Sequence, residues 1–132
     1  MSDDPIATGR PAPVGLLLSR DLIFTSKITG TASALGRKVV VAGGVAQALA
    51  MIGRDAPKVV FVDLAAGDLV ASPALLQYRG VVAEGTPFVA FGSHVDAEAL
   101  AEAARAGCDP VMPRSRFTAE LPALIRRYLG EG

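Results

Sequence analysis

Short apolar runs alternate with segments of helical periodicity along most of this chain. Each run has the near-continuous hydrophobic character of a strand that is buried on both faces of a parallel sheet. The runs predict five strands, over residues 14–18, 38–42, 58–63, 87–91 and 110–113. The last run is short and bounded by proline residues, which places it at an edge of the sheet.

Helical spacing of apolar residues predicts a helix after each strand, over residues 21–35, 45–53, 72–82, 97–106 and 118–129. Ser72, Asp96 and Thr118 are the expected N-caps of the last three helices, and Pro122 is expected in the first turn of the fifth. Leu22 and Leu76 are counted among the residues that face the sheet. Residues 65–68 are predicted to form a loop.

Five strands that alternate with five helices indicate an α/β fold with a doubly wound parallel sheet and helices on both faces. The length and the element count fit the flavodoxin-like strand order 2-1-3-4-5. We expect one such domain over residues 14–130. Residues 1–13 are rich in proline and glycine and predict a flexible N-terminal leader.

Composition narrows the classes of function. The 132 residues suit one domain, and 13 basic residues balance 13 acidic ones, so nothing favours a nucleic-acid partner. No stretch approaches the roughly 18 consecutive apolar residues of a membrane span. The single cysteine, Cys108, forms no internal disulfide and is expected to be a small buried residue, which is consistent with a cytoplasmic protein.

Asp63 is the most informative candidate for chemistry, because it is the single carboxylate that ends the near-continuous apolar run of residues 59–62. The carboxyl ends of parallel strands are where open α/β sheets bind ligands. Ser93 and His94 also suggest a nucleophile and a base, but adjacent residues seldom form such a pair and no third group is identifiable. Because His94 is the only histidine, we expect no zinc-type metal site.

Three segments, in order and spacing, make residues 14–129 resemble the receiver domain of two-component response regulators. Residues 59–64 (VVFVDL) resemble the strand that ends in the phosphoacceptor aspartate. Residues 87–93 (PFVAFGS) resemble the fourth strand, and residues 103–109 (AARAGCD) resemble the run before the fifth. The resemblance implies a signalling module rather than an enzyme, with Asp63 at the phosphoacceptor position.

The resemblance also implies that most of the receiver active site has been replaced. The two acidic magnesium ligands fall on Ser19 and Arg20, and only the residue directly after them, Asp21, is acidic. The switch hydroxyl falls on Gly92, with Ser93 one place later. The family's lysine falls on Arg114, which precedes Ser115 where receivers have proline.

We therefore expect a pseudo-receiver with no metal and no cofactor, in which Asp63 is not efficiently phosphorylated. Magnesium is held mainly by carboxylates and water, and phosphoryl transfer needs the charge neutralisation that it supplies. We expect the guanidinium of Arg20 to act as a permanent counter-charge for Asp63.

Two alternatives stay open on the sequence. Asp21 and Asp63 could hold a metal loosely and permit weak phosphorylation of Asp63. The chain could instead be a flavodoxin-like binder of a small molecule or cofactor, although it lacks a Ser/Thr-rich phosphate loop after the first strand. For the signalling module, the expected partner is a protein, with a possible homodimer through the fourth and fifth helices.

Overall fold

The computed structural model describes residues 12–130 of the chain. The predicted leader, residues 1–13, lies outside the described residues except for Ala12 and Pro13, which precede the first strand without regular structure.

Five parallel strands form one sheet in the order β2-β1-β3-β4-β5, which confirms the predicted flavodoxin-like topology. The strands are β1 Val14–Leu18, β2 Lys38–Ala42, β3 Val59–Asp63, β4 Phe88–Gly92 and β5 Val111–Pro113. Strand β5 lies at an edge, as its flanking prolines predict. Because all five strands are parallel, their carboxyl ends meet at one edge of the sheet.

The helices are α1 Leu22–Ala34, α2 Val45–Asp55, α3 Ser72–Arg79, α4 Ala97–Arg105 and α5 Arg114–Leu129. A 3-10 helix, Leu64–Val70, follows β3 directly and is kinked at Gly67. Asp96 caps α4 as predicted, because its Oδ1 accepts a hydrogen bond from the Ala99 amide at 3.1 Å.

Each face of the sheet has its own apolar layer, because successive side chains of a strand point to opposite faces. Helices α1 and α5 cover one face, where Phe61 and Phe91 pack against Phe117 of α5. Helices α2, α3 and α4 cover the other face, where Val62 and Ala90 lie in the same layer as Ala103 of α4. The face to which a strand-end residue points therefore decides which helices it can reach.

The start of α5 differs most from the prediction. The helix begins at Arg114, so Thr118 lies inside it and is not a cap, and Pro122 lies in its interior rather than in its first turn. Phe117, in the part that the prediction omitted, is fully buried. Its packing stabilises a helix start that propensity alone does not indicate.

Several smaller predictions are also wrong. Helix α2 continues past Gly53 to Asp55, with Ala56 (φ +46°) as its C-cap, and α3 ends at Arg79. Residues 65–68 belong to the 3-10 helix and are not an open loop. The hydroxyl of Ser72 donates to Glu102 at 3.0 Å and caps no helix.

The prediction that Leu22 and Leu76 face the sheet is wrong as well. Leu22 is 82% exposed and Leu76 is 64% exposed. On α3 the neighbouring Leu75 is buried instead of Leu76, and on α1 the buried residues are Thr25, Ile28 and Ala32, whereas Leu22 is the first residue of the helix.

Cys108 is a buried free thiol, as expected for a packing residue. Burial raises its pKa to about 11, so the thiol stays protonated at neutral pH. Within residues 12–130, no helix is both long enough and apolar enough to span a bilayer.

Candidate functional site

Asp63 ends β3 and points to the face of the sheet that α1 and α5 cover, in step with Phe61 two residues earlier. Its side chain is only 1% exposed. A buried carboxylate is costly unless donors satisfy its oxygens, so its partners decide what the site can do. Three groups donate hydrogen bonds to it: a side chain directly after β1, a side chain at the start of α5, and a backbone amide two residues after Asp63.

Ser19 follows β1, the neighbour of β3 in the sheet. Its hydroxyl donates to Asp63 Oδ2 at 2.7 Å, and Ser19 itself is 2% exposed. The Ala65 amide donates to the other oxygen, Oδ1, at 3.0 Å. Ser19, at a position where the resemblance implies a magnesium ligand, therefore donates a hydrogen bond to Asp63.

Arg114 supplies the positive charge beside Asp63. Its Nη2 donates to Asp63 Oδ1 at 3.2 Å, from the position where β5 passes directly into α5. The guanidinium also lies over the Phe24 ring, with Cζ 4.8 Å from the ring centroid, a favourable cation–π geometry. The side chain is 36% exposed, so this ion pair lies at the boundary of the core.

The expectation that Arg20 is the counter-charge of Asp63 is wrong. Its Nη1 pairs with Asp68 at 2.9 Å and donates to the Ala66 carbonyl at 3.1 Å, while Nε donates to the Gly43 carbonyl at 2.8 Å. The physical reason is local, because these oxygen atoms give the guanidinium three acceptors near the surface. The hydrogen bond with Arg20 lowers the pKa of Asp68.

Asp21 is largely committed to helix α1. Its Oδ1 accepts a hydrogen bond from the Phe24 amide at 2.9 Å and so caps the helix. Its Oδ2 lies 3.8 Å from Arg114 Nη1, so one guanidinium faces both Asp21 and Asp63.

Gly92 ends β4 and points to the opposite face of the sheet, toward α4. A Cβ atom at this position would lie 3.2 Å from both Cβ and Cδ1 of Leu64 and 3.6 Å from Cδ2 of Leu100. An apolar side chain therefore occupies the space where a side chain of residue 92 would lie.

Ser93 and His94 are exposed in the loop that follows β4. The Ser93 hydroxyl accepts a hydrogen bond from the Val95 amide at 3.4 Å. Both residues line a pocket of about 340 Å³ together with Arg114 and Ser115. This pocket lies beside the Asp63 site and has no third group that would complete a nucleophile and base arrangement.

The donor set around Asp63 does not fit a magnesium ion. Magnesium prefers carboxylate, carbonyl and water oxygens, whereas Asp63 faces a hydroxyl proton and a guanidinium. In the part of the chain that the structure describes, no three His, Cys, Asp or Glu side chains are grouped so that they could hold a metal ion.

The structure brings Ser19, Asp21, Asp63 and Arg114 together, whereas neither Ser93 nor Arg20 forms a hydrogen bond or ion pair with Asp63. Sequence reasoning missed Leu64 and Asp68. The position of Asp68 could have predicted its ion pair, since it follows β3 at the same sheet edge as Arg20, for which the sequence offered several possible acids. Leu64 has no such signal in the sequence, because its contact with Gly92 depends on the path of the 3-10 helix.

Comparison with solved structures identifies the fold. The receiver domain of a sensor histidine kinase from Pseudomonas aeruginosa, solved with magnesium in its active site cleft, matches with a TM-score of 0.74 and 19% identity, covering 92% of this chain and 100% of its own. A response regulator from Thermotoga maritima matches with a TM-score of 0.73 and 16% identity over the same shares. The receiver domain of NtrX from Brucella abortus matches with a TM-score of 0.73 and 21% identity, covering 88% of this chain and 97% of its own.

No protein-family model matches the sequence, and no curated protein is significantly similar to it. The chain therefore has the fold of response-regulator receiver domains at a low level of sequence identity.

Proposed function

We propose that this chain is a non-catalytic, receiver-like signalling and interaction module in which Asp63 is not efficiently phosphorylated. The observation that carries the proposal is the set of partners around Asp63. Ser19, Arg114 and the Ala65 amide satisfy both carboxylate oxygens without a metal ion. A carboxylate in this state is a paired structural group rather than an available nucleophile.

The chemistry of phosphoryl transfer supports the same conclusion. The transferring group carries charge on its oxygens, and positioned cations lower the barrier by neutralising that charge. The resemblance implies that receivers bind magnesium for this purpose, and the Pseudomonas receiver domain has a magnesium ion coordinated in its active site cleft. Here Ser19 and Arg20 stand at the two acidic positions, and Arg20 is bound to Asp68 outside the site.

Intact-mass measurement tests the proposal directly. The full chain is incubated with magnesium and a small phosphodonor such as acetyl phosphate, beside a receiver domain that has the acidic pair. We expect a phosphoryl mass gain in the positive control and none in this chain. A gain that disappears in Asp63→Asn would contradict the proposal.

A weakly phosphorylatable receiver is the second candidate, and one observation favours it. Arg114 faces Asp21 and Asp63 at 3.8 and 3.2 Å, so both carboxylates border the same position. A cation that displaced the guanidinium would find two acids there. A small mass gain at high magnesium that is lost in both Asp21→Asn and Asp63→Asn would favour this candidate.

The proposed partner is a protein, and the proposed contact surface is formed by α4, β5 and α5. Acidic and basic side chains alternate there, and Asp109, Glu120 and Arg127 border a groove of about 360 Å³. In a two-fold symmetric pair, the acids of one copy can face the bases of the other. The proposal includes a cytoplasmic location, which the free thiol of Cys108 favours.

Sedimentation of the full chain over a range of concentrations tests the homodimer. We expect association that weakens with salt and is lost in Arg127→Glu, while Lys27→Glu on α1, which is not part of the proposed surface, leaves it unchanged. A monomer at all concentrations would remove the homodimer and leave a different protein as the partner.

A further inference from the structure

The carboxyl end of β4 is filled by a leucine from the neighbouring segment. Leu64 is the first residue after Asp63, and its Cβ and Cδ1 lie 3.2 Å from the position of a Cβ on Gly92. Most real Cβ contacts are longer than this, so a larger residue would require Leu64 to shift by a few tenths of an ångström. Leu64 therefore takes the volume that a side chain at residue 92 would need.

The same leucine reaches helix α4. Leu64 lines a cleft of about 170 Å³ together with Leu75 of α3 and with Ala99 and Ala103 of α4. Leu100 of α4 also approaches the Gly92 position, with its Cδ2 at 3.6 Å from the place of a Cβ. Leu64 thus lies between the end of β4 and α4 and contacts the apolar layer of that face.

Asp63 and Leu64 are adjacent in sequence but act on opposite faces of the sheet. Asp63 bonds to Ser19 and Arg114 on the α1 and α5 side, whereas Leu64 packs on the α4 side. Gly92, between them at the end of β4, has no side chain that could link the two.

We infer that Leu64 is a positioning residue, which holds α4 in one arrangement against Gly92 independently of the charge of Asp63. The α4 surface is then presented constitutively to a partner. This inference rests on the proposed function, because it concerns the surface through which the unphosphorylated module would act.

Amide hydrogen exchange of the full chain tests the independence of the two faces. We expect Leu64→Ala to speed exchange in α4 by about tenfold or more, because a truncated packing residue lowers the free energy of local opening. Asp63→Asn removes the charge and keeps the shape of the side chain, so α4 exchange should match the wild type. Leu76→Ala removes an exposed leucine and is the matched control.

A double-mutant cycle tests the contact itself, with a readout that general loss of packing would not produce. Gly92→Ala alone should lower the Tm by about 3 to 8 °C through overpacking against Leu64. In the Leu64→Ala background the same change should cost nothing or raise the Tm, since the added methyl group refills the vacated space.

Additive Tm losses in the cycle would overturn the inference. So would faster α4 exchange in Asp63→Asn, since it would show a link between the two faces. Neither result depends on the mass measurement above, so failure of the proposed function and failure of this inference are distinguishable.

Discussion

The carboxyl ends of β3 and β4 lie side by side in the sheet, yet different kinds of contact stabilise them. Asp63 at the end of β3 is buried and polar, and two side chains and a backbone amide satisfy it. Gly92 at the end of β4 has no side chain, and the apolar Leu64 fills its space. One strand end is therefore held by hydrogen bonds and charge, and the other by packing.

This difference implies that the hydrogen bonds of Asp63 and the packing around Gly92 are independent of each other. A substitution can therefore change one strand end and leave the other unchanged. At the end of β3, loss of a hydrogen-bond donor lowers the free energy of unfolding, because the Asp63 carboxylate then stays buried with an unsatisfied oxygen. The apolar end is sensitive to volume and insensitive to charge. Substitutions at the two ends should therefore have different signatures.

Removal of Arg114 should have the largest effect on the polar end. Arg114→Ala leaves the Asp63 carboxylate buried without its cation, and partial exposure of the arginine reduces the loss from that of a fully buried pair. We expect the free energy of unfolding in urea to fall by about 2 to 3 kcal/mol.

Two variants calibrate that measurement. Arg114→Lys keeps the positive charge and should recover part of the loss. Arg116→Ala removes an exposed arginine of the same helix that pairs with Glu120 four residues on, and should cost less than about 0.5 kcal/mol. Equal losses in Arg114→Ala and Arg116→Ala would show that Asp63 does not depend on this cation.

Loss of the Ser19 hydroxyl should have the next largest effect. Ser19→Ala deprives the buried Oδ2 atom of its hydroxyl donor, and we expect a loss of about 1 to 2 kcal/mol in the same urea experiment. Ser26→Ala, at an exposed position of α1, is the matched control and should change little. In the Asp63→Asn background, the cost of Ser19→Ala should change, because the two side chains are directly hydrogen-bonded. Strictly additive losses would contradict this account.

Much of the fold could be predicted because each buried strand corresponds to a short apolar run in the sequence. Strand β1 and strand β2 have the predicted bounds, and Asp96 caps α4 as expected. The start of α5 could not be predicted in this way. Its first turn is stabilised by burial of Phe117 between the sheet and α1, which is a tertiary contact that local periodicity does not record.

The sequence predicted which residues of the candidate site lie close together, but not which hydrogen bonds and ion pairs they form. Position after a strand places Ser19, Asp63 and Arg114 at one edge of the sheet, and this is sufficient to expect them near one another. Which arginine pairs with Asp63 depends on competing acceptors. Asp68 and two carbonyl groups engage Arg20, and only the three-dimensional course of the 3-10 helix brings them together.

Substitution of Arg20 should have the smallest effect, and it distinguishes the two arginines. Arg20→Gln removes a pair that is exposed on both sides, so we expect little change in stability and no coupling to Asp63→Asn. The clearer readout is the pKa of Asp68, measured by NMR titration. It is lowered in the wild type by the hydrogen bond with Arg20 and should return toward the ordinary value in the variant.

The lowered pKa of Asp68 in the folded state also makes the contribution of this pair depend on pH. The pair favours the folded state above the ordinary carboxyl pKa, and its contribution is lost as the pH falls through the lowered folded-state pKa. An unchanged Asp68 pKa in Arg20→Gln would contradict the pairing of Arg20 with Asp68.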